Sequence, residues 1–376
     1  MSKQKTSQSR KDRPTFALLI DSIGQDYQVQ LMAGMADAAC QHDVNLVCYI
    51  AGVAGEYRLL QFDVLNGFIK ELIDPALCDG IILTNTFADF IRRPSFANFL
   101  KTYGAVPVVG IATIDPRIPH IVVDNVQAMR LPIVHLIEQH GYRRIAIIRG
   151  PLFQLEAEER YQAYSDVLRE YGLPLEPELV LPGDFTRESG ADAIAELMKR
   201  NIILPDAIVA CNDPMAIGAM EMLQSLGIRV PEDVAVTGFD DTDATLTVAP
   251  PITTVHQPIF EQGKWAVEQL VARLQSARLQ SARLQSARLQ GGDSNTRADD
   301  HTAVKMPATL VVRSSCGCTS FMSSEQFSPP ALSQKVGLES IEPKQIDETQ
   351  IIAHVEAMAA QSGLRLAHDS HALSAL

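Results

Sequence analysis

The sequence predicts an α/β protein made of two doubly wound, parallel-sheet lobes. Three observations carry that expectation. Short, continuous apolar runs recur along residues 15–320, and stretches with helical spacing separate most of them. Continuous apolarity suits strands covered on both faces, as in a parallel sheet, better than half-exposed antiparallel strands. The strand–helix–strand order implies doubly wound lobes. The series then starts again after Val123, and 376 residues are ample for two lobes.

The first series opens with the run Phe16–Ile20, followed by Leu31, Met35, Ala38 and Ala39 at helical spacing. Leu46–Ile50, Cys78–Leu83, Val106–Val109 and His120–Val123 read as its further strands. In the second series, Asp124 or Asn125 can cap a helix reaching about His140, which Gly141 ends. The strand Arg144–Ile148, a helix around Glu156–Tyr171 and the strand Glu178–Leu181 come next. A helix around Glu188–Arg200 leads to the strand Ala207–Ala210. Asp213 is expected to cap the helix Pro214–Leu226, with Pro214 at its first position and Gly227 stopping it. Val234–Thr237 and Thr309–Val312 read as the remaining strands.

One segment departs from this pattern. Residues 272–290 repeat a five-residue unit, ARLQS, made largely of strong helix formers. Five residues advance about 140° net around a helix, so Leu274, Leu279, Leu284 and Leu289 spiral and form no stripe. The repeat is expected to be a helix extension rather than a zipper, which needs a 3.5-residue period. Gly291–Asn295 reads as a flexible loop. Residues 1–14 read as a basic, disordered leader and 319–376 as a linker or tail with a short helix at 347–360.

Composition narrows the function classes. Hydrophobic residues make up 46% and charged residues 20%, which excludes a mostly disordered chain. The longest weakly polar run, Ala105–Ile114, falls well short of the roughly 20 residues that span a bilayer, so no membrane partner is expected. A net charge of −13 excludes one broad basic surface, although residues 1–13 carry a local excess of positive charge. That leader has no apolar core of a secretory signal. The six cysteines sit mostly singly in apolar segments, which points to a reducing, cytoplasmic compartment.

Catalytic signatures are lacking. There is no GxxxxGK[ST] loop, no GxSxG elbow, no HExxH and no paired CxxC. The first βα turn, Asp21–Gly24, lacks GxGxxG, and no cofactor is expected. Cys316-Gly317-Cys318 is tighter than the usual paired metal-ligand spacing and the nine histidines are scattered, so no metal ligands are assigned. Asp240-Asp241 fits binding or capping better than a metal. The chain is expected not to be an enzyme.

Polar residues instead recur where strands end. Asp21, Ser22 and Gln25 follow the first strand, and Thr84-Asn85 the third. Asn212-Asp213 follows Ile208–Ala210, and Asp240-Asp241 follows Val234–Thr237. Each alone can be a turn or a cap. Together they lie where open α/β sheets bind ligands, beyond the carboxyl ends of the strands.

Residues 207–258 carry three motifs in order: Asn-Asp-x-x-Ala-x-Gly at a helix start, Gly-Ile-Arg-Val-Pro-Glu-Asp-Val-Ala-Val-x-Gly-Phe-Asp-Asp, and Pro-Pro-Ile-Thr-Thr-Val-x-Gln-Pro. As a set they resemble the effector-binding core of LacI/GalR-type regulators, a type I periplasmic-binding-protein-like fold. Residues 122–151 and 306–318 are similar to that family's crossover segment and closing strand, so the likeness spans about residues 14–318. The resemblance implies that Asn212 and Asp240 hydrogen-bond an effector, that Arg160 contacts it, and that Phe185 packs on it. It further implies contacts from Gln25, Tyr27, Asn85 and the hinge residue Gln257. Gly110–Thr113 lacks the charge that many sugar-binding relatives carry there.

The same resemblance implies the lobe boundaries. An N-terminal lobe takes 15–123 and about 256–290, a C-terminal lobe takes 124–255 and about 305–318, and three hinge crossings fall near Val123, Thr253–Gln257 and 290–306. Family repressors begin with a helix-turn-helix headpiece, which this sequence does not show before Thr15, so direct DNA binding through that motif is not expected. The expected function is a cytoplasmic sensor that binds a small polar, sugar-like effector between its lobes and signals by closure, in transcriptional regulation or signal transduction. A homodimer is implied by analogy, with a possible C-terminal output module or partner protein. A transport solute-binding protein is the competing reading, and an intact transcription factor that contacts DNA by other means is a further one.

Overall fold

The computed structural model describes residues 13–20, 23–50, 78–84, most of 97–152, 154–200, 202–290 and 303–319. Residues 1–12 of the leader, Asp21, Ser22, Asn85, residues 291–302 after the repeat and residues 320–376 of the tail lie outside the described residues.

Among those residues the first sheet has six parallel strands: β1 (Thr15–Ile20), β2 (Asn45–Ile50), β3 (Gly80–Leu83), β4 (Val108–Ile111), β5 (His120–Val123) and β11 (Ala303–Met306). Their order is β11-β5-β4-β3-β1-β2. The second sheet is also parallel, in the order β7-β6-β8-β9, from β6 (Ile145–Ile148), β7 (Val180–Leu181), β8 (Ala207–Ala210) and β9 (Ala235–Thr237). The strands β3, β4, β6 and β8 are buried along their whole length, as their unbroken apolar runs require. A small antiparallel ribbon joins β10 (Thr254–His256) to β12 (Thr309–Val311).

Helices α1 (Asp26–Gln41) and α7 (Ile259–Gln290) cover the first sheet together. Leu31 and Met35 of α1 are fully buried against Val267 and Leu270 of α7. Burying each such side chain contributes roughly 1.5–3 kcal/mol. The two helices approach at glycines: a Cβ on Gly34 would overlap the Phe260 carbonyl, and one on Gly263 the Leu31 carbonyl. The repeat continues α7 without a break. Leu274 still packs on the core, whereas Leu279 is 61% exposed, as a spiral of leucines without a stripe requires.

The second core is built by α2 (Asn125–His140), α3 (Leu155–Glu170), α4 (Arg187–Lys199) and α5 (Asp213–Ser225), with the single turn α6 (Ala244–Thr247) beside it. Asp124 caps α2, accepting from the Gln127 amide, and Gly141 ends it in the left-handed region at φ 70°. Helices α4 and α5 also meet at glycines, where a Cβ on Gly218 would overlap the Arg187 carbonyl oxygen. Backbone cannot yield there as a flexible side chain would. Gly218→Ala is therefore expected to destabilise the fold by about 1–3 kcal/mol. A urea titration checks this through a lower midpoint at unchanged slope.

Ala303–Met306 forms an edge strand of the first sheet, paired with β5. Two sequence expectations are corrected. The expected strand Glu178–Leu181 is shortened to two residues, since Pro177 starts a 3-10 turn over Pro177–Leu179. The N-cap of α5 is Asn212, whose Oδ1 accepts from the Met215 amide at 3.1 Å, and not Asp213.

Candidate functional site

The carboxyl ends of β6, β8 and β9, together with α3, enclose a buried polar centre. Its middle is Arg160, which points inward from α3 and is 4% exposed. Its Nε donates to Asn125 Oδ1 at 2.9 Å and its Nη1 to the Cys211 carbonyl at 2.5 Å. The guanidinium lies 3.7 Å from the centroid of the Phe239 ring. Its Nη1 also stands 3.9 Å from Asp240 Oδ1. The cation is thus held by a carbonyl, an amide, a ring face and a carboxylate.

Asp240 follows β9 and is 5% exposed. Its backbone has φ 121°, outside the range that side-chain-bearing residues prefer, and its amide donates to the Val255 carbonyl at 2.9 Å. Burial pushes the Asp240 carboxyl well above the usual range, the Arg160 charge opposes that, and Asp213 adds to it. Gln257 Nε2 donates to Asp240 Oδ1 at 2.5 Å. Gln257 stands where the chain leaves β10 for α7, so this bond joins the second sheet's strand ends to the helix that covers the first sheet.

Asn212 uses both ends of its amide. While Oδ1 caps α5, Nδ2 donates to the Phe185 carbonyl at 2.9 Å. Phe185 has φ 73°, and its ring lies so close over Gly150 that a Cβ there would overlap it. A left-handed conformation at a bulky residue costs on the order of 1–2 kcal/mol, and the Asn212 bond helps hold it.

The structure therefore brings Arg160, Asp240 and Gln257 together, and links Asn212 to Phe185 beside them. Arg160 also reaches the carbonyl of Cys211, next to Asn212. Gln25 and Tyr27 are placed elsewhere, at the start of α1. Gln25 is exposed and makes no side-chain cap, and Tyr27 packs on the first core. Asn85 lies outside the described residues.

Several members of the centre were not singled out for it by the sequence. Asn125 reads as one of two possible caps, yet it turns inward to Arg160 and to Glu159 Oε2 at 3.0 Å. Phe239 reads only as part of a motif. Asp213 is fully buried and accepts from Thr254 Oγ1 at 2.6 Å and from the Thr242 amide at 2.8 Å. Burial pushes its carboxyl up to about 7. Asp241 is held by the Arg313 guanidinium, Nη2 at 2.5 Å, and by the His256 ring, Nδ1 at 3.0 Å. Burial acts to raise the Asp241 carboxyl, but hydrogen bonds from His256 and Arg313 outweigh it and hold it low. Reciprocally, the Asp241 carboxylate raises His256. The acidic pair thus divides, Asp240 facing Arg160 and Asp241 facing Arg313.

Residues 133–316 match the family described as periplasmic binding protein-like domain. The HTH-type transcriptional repressor CytR of Escherichia coli strain K12 is 32% identical over 269 residues, which are 71% of this chain and 74% of CytR. The HTH-type transcriptional regulator CelR of Thermobifida fusca is 36% identical over 198 residues, 52% of this chain and 57% of CelR. The HTH-type transcriptional repressor PurR of Haemophilus influenzae strain PittEE is 40% identical over 140 residues, 37% of this chain and 41% of PurR. The chain thus spans about half the length of these last two relatives. Among solved structures, a transcriptional regulator CelR–cellobiose complex superposes with a TM-score of 0.64 at 27% identity, over 81% of this chain and 85% of that one. The lac repressor dimer bound to operator and an anti-inducer superposes with a TM-score of 0.63 at 21% identity, over 84% and 86%, a likeness of fold alone.

Proposed function

The chain belongs to the LacI type of transcriptional regulator, in its periplasmic-binding-protein-like core, and on that footing we propose that it senses a small polar, sugar-like effector. The observation that carries this reading is the buried Arg160–Asp240–Gln257 centre at the strand ends. Its donors and acceptors are fixed before any effector arrives, so little ordering is needed on binding. Cellobiose, the ligand named with a relative of 27% identity, is rich in hydroxyls that such a centre suits. Arg160 donates, Asp240 accepts, and Gln257 relays between the second sheet's strand ends and α7.

Signalling follows from that relay. An effector that competes for Asp240 or Gln257 changes the bond between β9 and α7. Whatever it binds better in one lobe arrangement than in another, it shifts by that difference alone. The output is regulatory rather than catalytic, through a dimer or a partner that reads the lobe geometry. Turnover is not expected, because no residue at the centre is placed as a nucleophile with its base.

A thermal-shift panel of sugars, polyols and nucleosides tests the reading. An effector at about 100 times its dissociation constant contributes about 2.7 kcal/mol, which raises the melting temperature of a core this size by about 3–5 °C. Asp240→Asn keeps the acceptor for Gln257 and is expected to abolish the shift while leaving the fold intact. A panel that moves no melting temperature, or a shift that Asp240→Asn leaves unchanged, would overturn it.

A further inference from the structure

We infer that His135, His140, Cys316 and Cys318 form a structural binding site for a zinc-class divalent cation. The sequence reading sets these residues aside, because the cysteines are too close for the usual pairing and the histidines look scattered. Folding gathers them. His135 and His140 stand at the C-terminal end of α2, and the 3-10 turn Ser314–Cys316 delivers the two cysteines from more than 170 residues away.

The geometry fits one ion. The two imidazole Nε2 atoms are 3.3 Å apart. Cys318 Sγ lies 3.4 Å from His140 Nε2 and 3.5 Å from His135 Nε2, and Cys316 Sγ lies 3.5 Å from His135 Nε2. All four ligand atoms fall within 4.8 Å of one another. Tetrahedral zinc, bound at about 2.3 Å to sulfur and about 2.05 Å to nitrogen, separates two nitrogens by about 3.3 Å, nitrogen from sulfur by about 3.6 Å and two sulfurs by about 3.8 Å. The separations between the two imidazoles, from Cys318 to each of them and from Cys316 to His135 are close to those of such a ligand shell.

The surroundings match as well. Gly317 has φ 104°, which lets both cysteines turn to one side, and a Cβ there would press on Tyr142 Oη and the His140 ring. Tyr142 stacks on His140 with ring centres 5.3 Å apart, and its hydroxyl reaches the Cys316 carbonyl. Thr253 Oγ1 donates to Cys316 Sγ at 3.1 Å, the kind of outer contact that supports a ligating thiolate. Four protein ligands leave no open position, so the role is structural rather than catalytic. The ion would tie the end of α2 to the closing turn of the chain, beside the Thr253 bridge to β9.

The test uses the full chain, purified reduced and loaded with zinc or with cobalt(II) alone. One equivalent of zinc per chain is expected, and the cobalt adduct should show thiolate charge-transfer and tetrahedral d–d bands. Cys318→Ser and His140→Ala, checked for folding by circular dichroism, should each lose those bands and bind zinc more than about 100-fold more weakly, beyond what an outer partner costs. Cys40→Ser, at an exposed cysteine, should change nothing. In the unaltered chain, chelation should lower the melting temperature. Substoichiometric zinc, or cobalt bands unaffected by both ligand variants, would overturn the assignment. So would a melting temperature indifferent to chelator. None of these readouts depends on an effector, so the two proposals stand or fall separately.

Discussion

Arg160→Met is expected to destabilise the fold by about 3–5 kcal/mol, the range for breaking a buried ion pair from one side. The loss of its polar partners explains most of it. Methionine fills much of the volume over Phe239, but it leaves the Cys211 carbonyl and Asn125 Oδ1 without their donor. Each orphaned buried acceptor costs about 1–3 kcal/mol, and loss of a desolvated cation–ring contact adds about 2 kcal/mol. Asp240 moderates the total. Its carboxyl is already pushed well up by burial, so without Arg160 it stays protonated to higher pH instead of remaining a bare charge. The cost of the variant should therefore grow as pH rises. Adding Asp240→Asn removes the carboxylate and should recover part of the loss. Denaturant unfolding of the two single variants and the double variant, at mildly acid and at neutral pH, measures both effects. A cost under about 1 kcal/mol, or one that does not change with pH, would mean that the cation is held by packing and not by its polar partners.

Much of this architecture is legible in the sequence because parallel strands advertise themselves. Ile145–Ile148 and Ala207–Ala210 are apolar without a gap, and the structure buries all of both. The edge strand β11 carries no such mark. Ala303–Met306 alternates with an exposed lysine at Lys305, so only its pairing to β5 reveals it as a strand of the first sheet. Caps are legible as residue types but not as individuals. Asp124 and Asn125 are both good caps, and so are Asn212 and Asp213. In each pair one residue caps and its neighbour turns inward, to Arg160 in one case and to Thr242 and Thr254 in the other. The partners that decide between them lie tens of residues away. The His135–Cys318 cluster is the extreme case: its helical half does have a zinc-ligand spacing, four residues between His135 and His140, but its Cys-Gly-Cys half does not, and only the fold joins them.

Asp213 sets the pH dependence of stability. Burial pushes its carboxyl up to about 7, and hydrogen bonds from Thr254 and Thr242 offset only part of that. An unfolded aspartate releases its proton near about 3.9. Between about pH 4 and pH 7 the folded chain therefore holds a proton that the unfolded chain has lost. Stability from this group is fully present below the unfolded value and declines as pH rises toward the folded one, by at most about 1.4 kcal/mol per pH unit. His256, raised by the Asp241 carboxylate, acts in the same sense at the upper end of the window. Asp241, held low, acts oppositely: its contribution is complete above the ordinary carboxylate range and is lost only in stronger acid. The chain should thus be most stable near about pH 4–5 and weaken toward neutrality. Asp213→Asn should flatten the decline. The amide still accepts from the Thr242 backbone, and the Thr254 hydroxyl can turn to accept from it. Asp240 should titrate lower in that variant, since Asp213 no longer adds its charge. Urea unfolding at half-unit steps from about pH 4 to about pH 8 reads all three effects. Stability that is flat or rising between about pH 5 and pH 7 in the unaltered chain would show that the Asp213 carboxylate is charged in the core, sustained by its threonine donors.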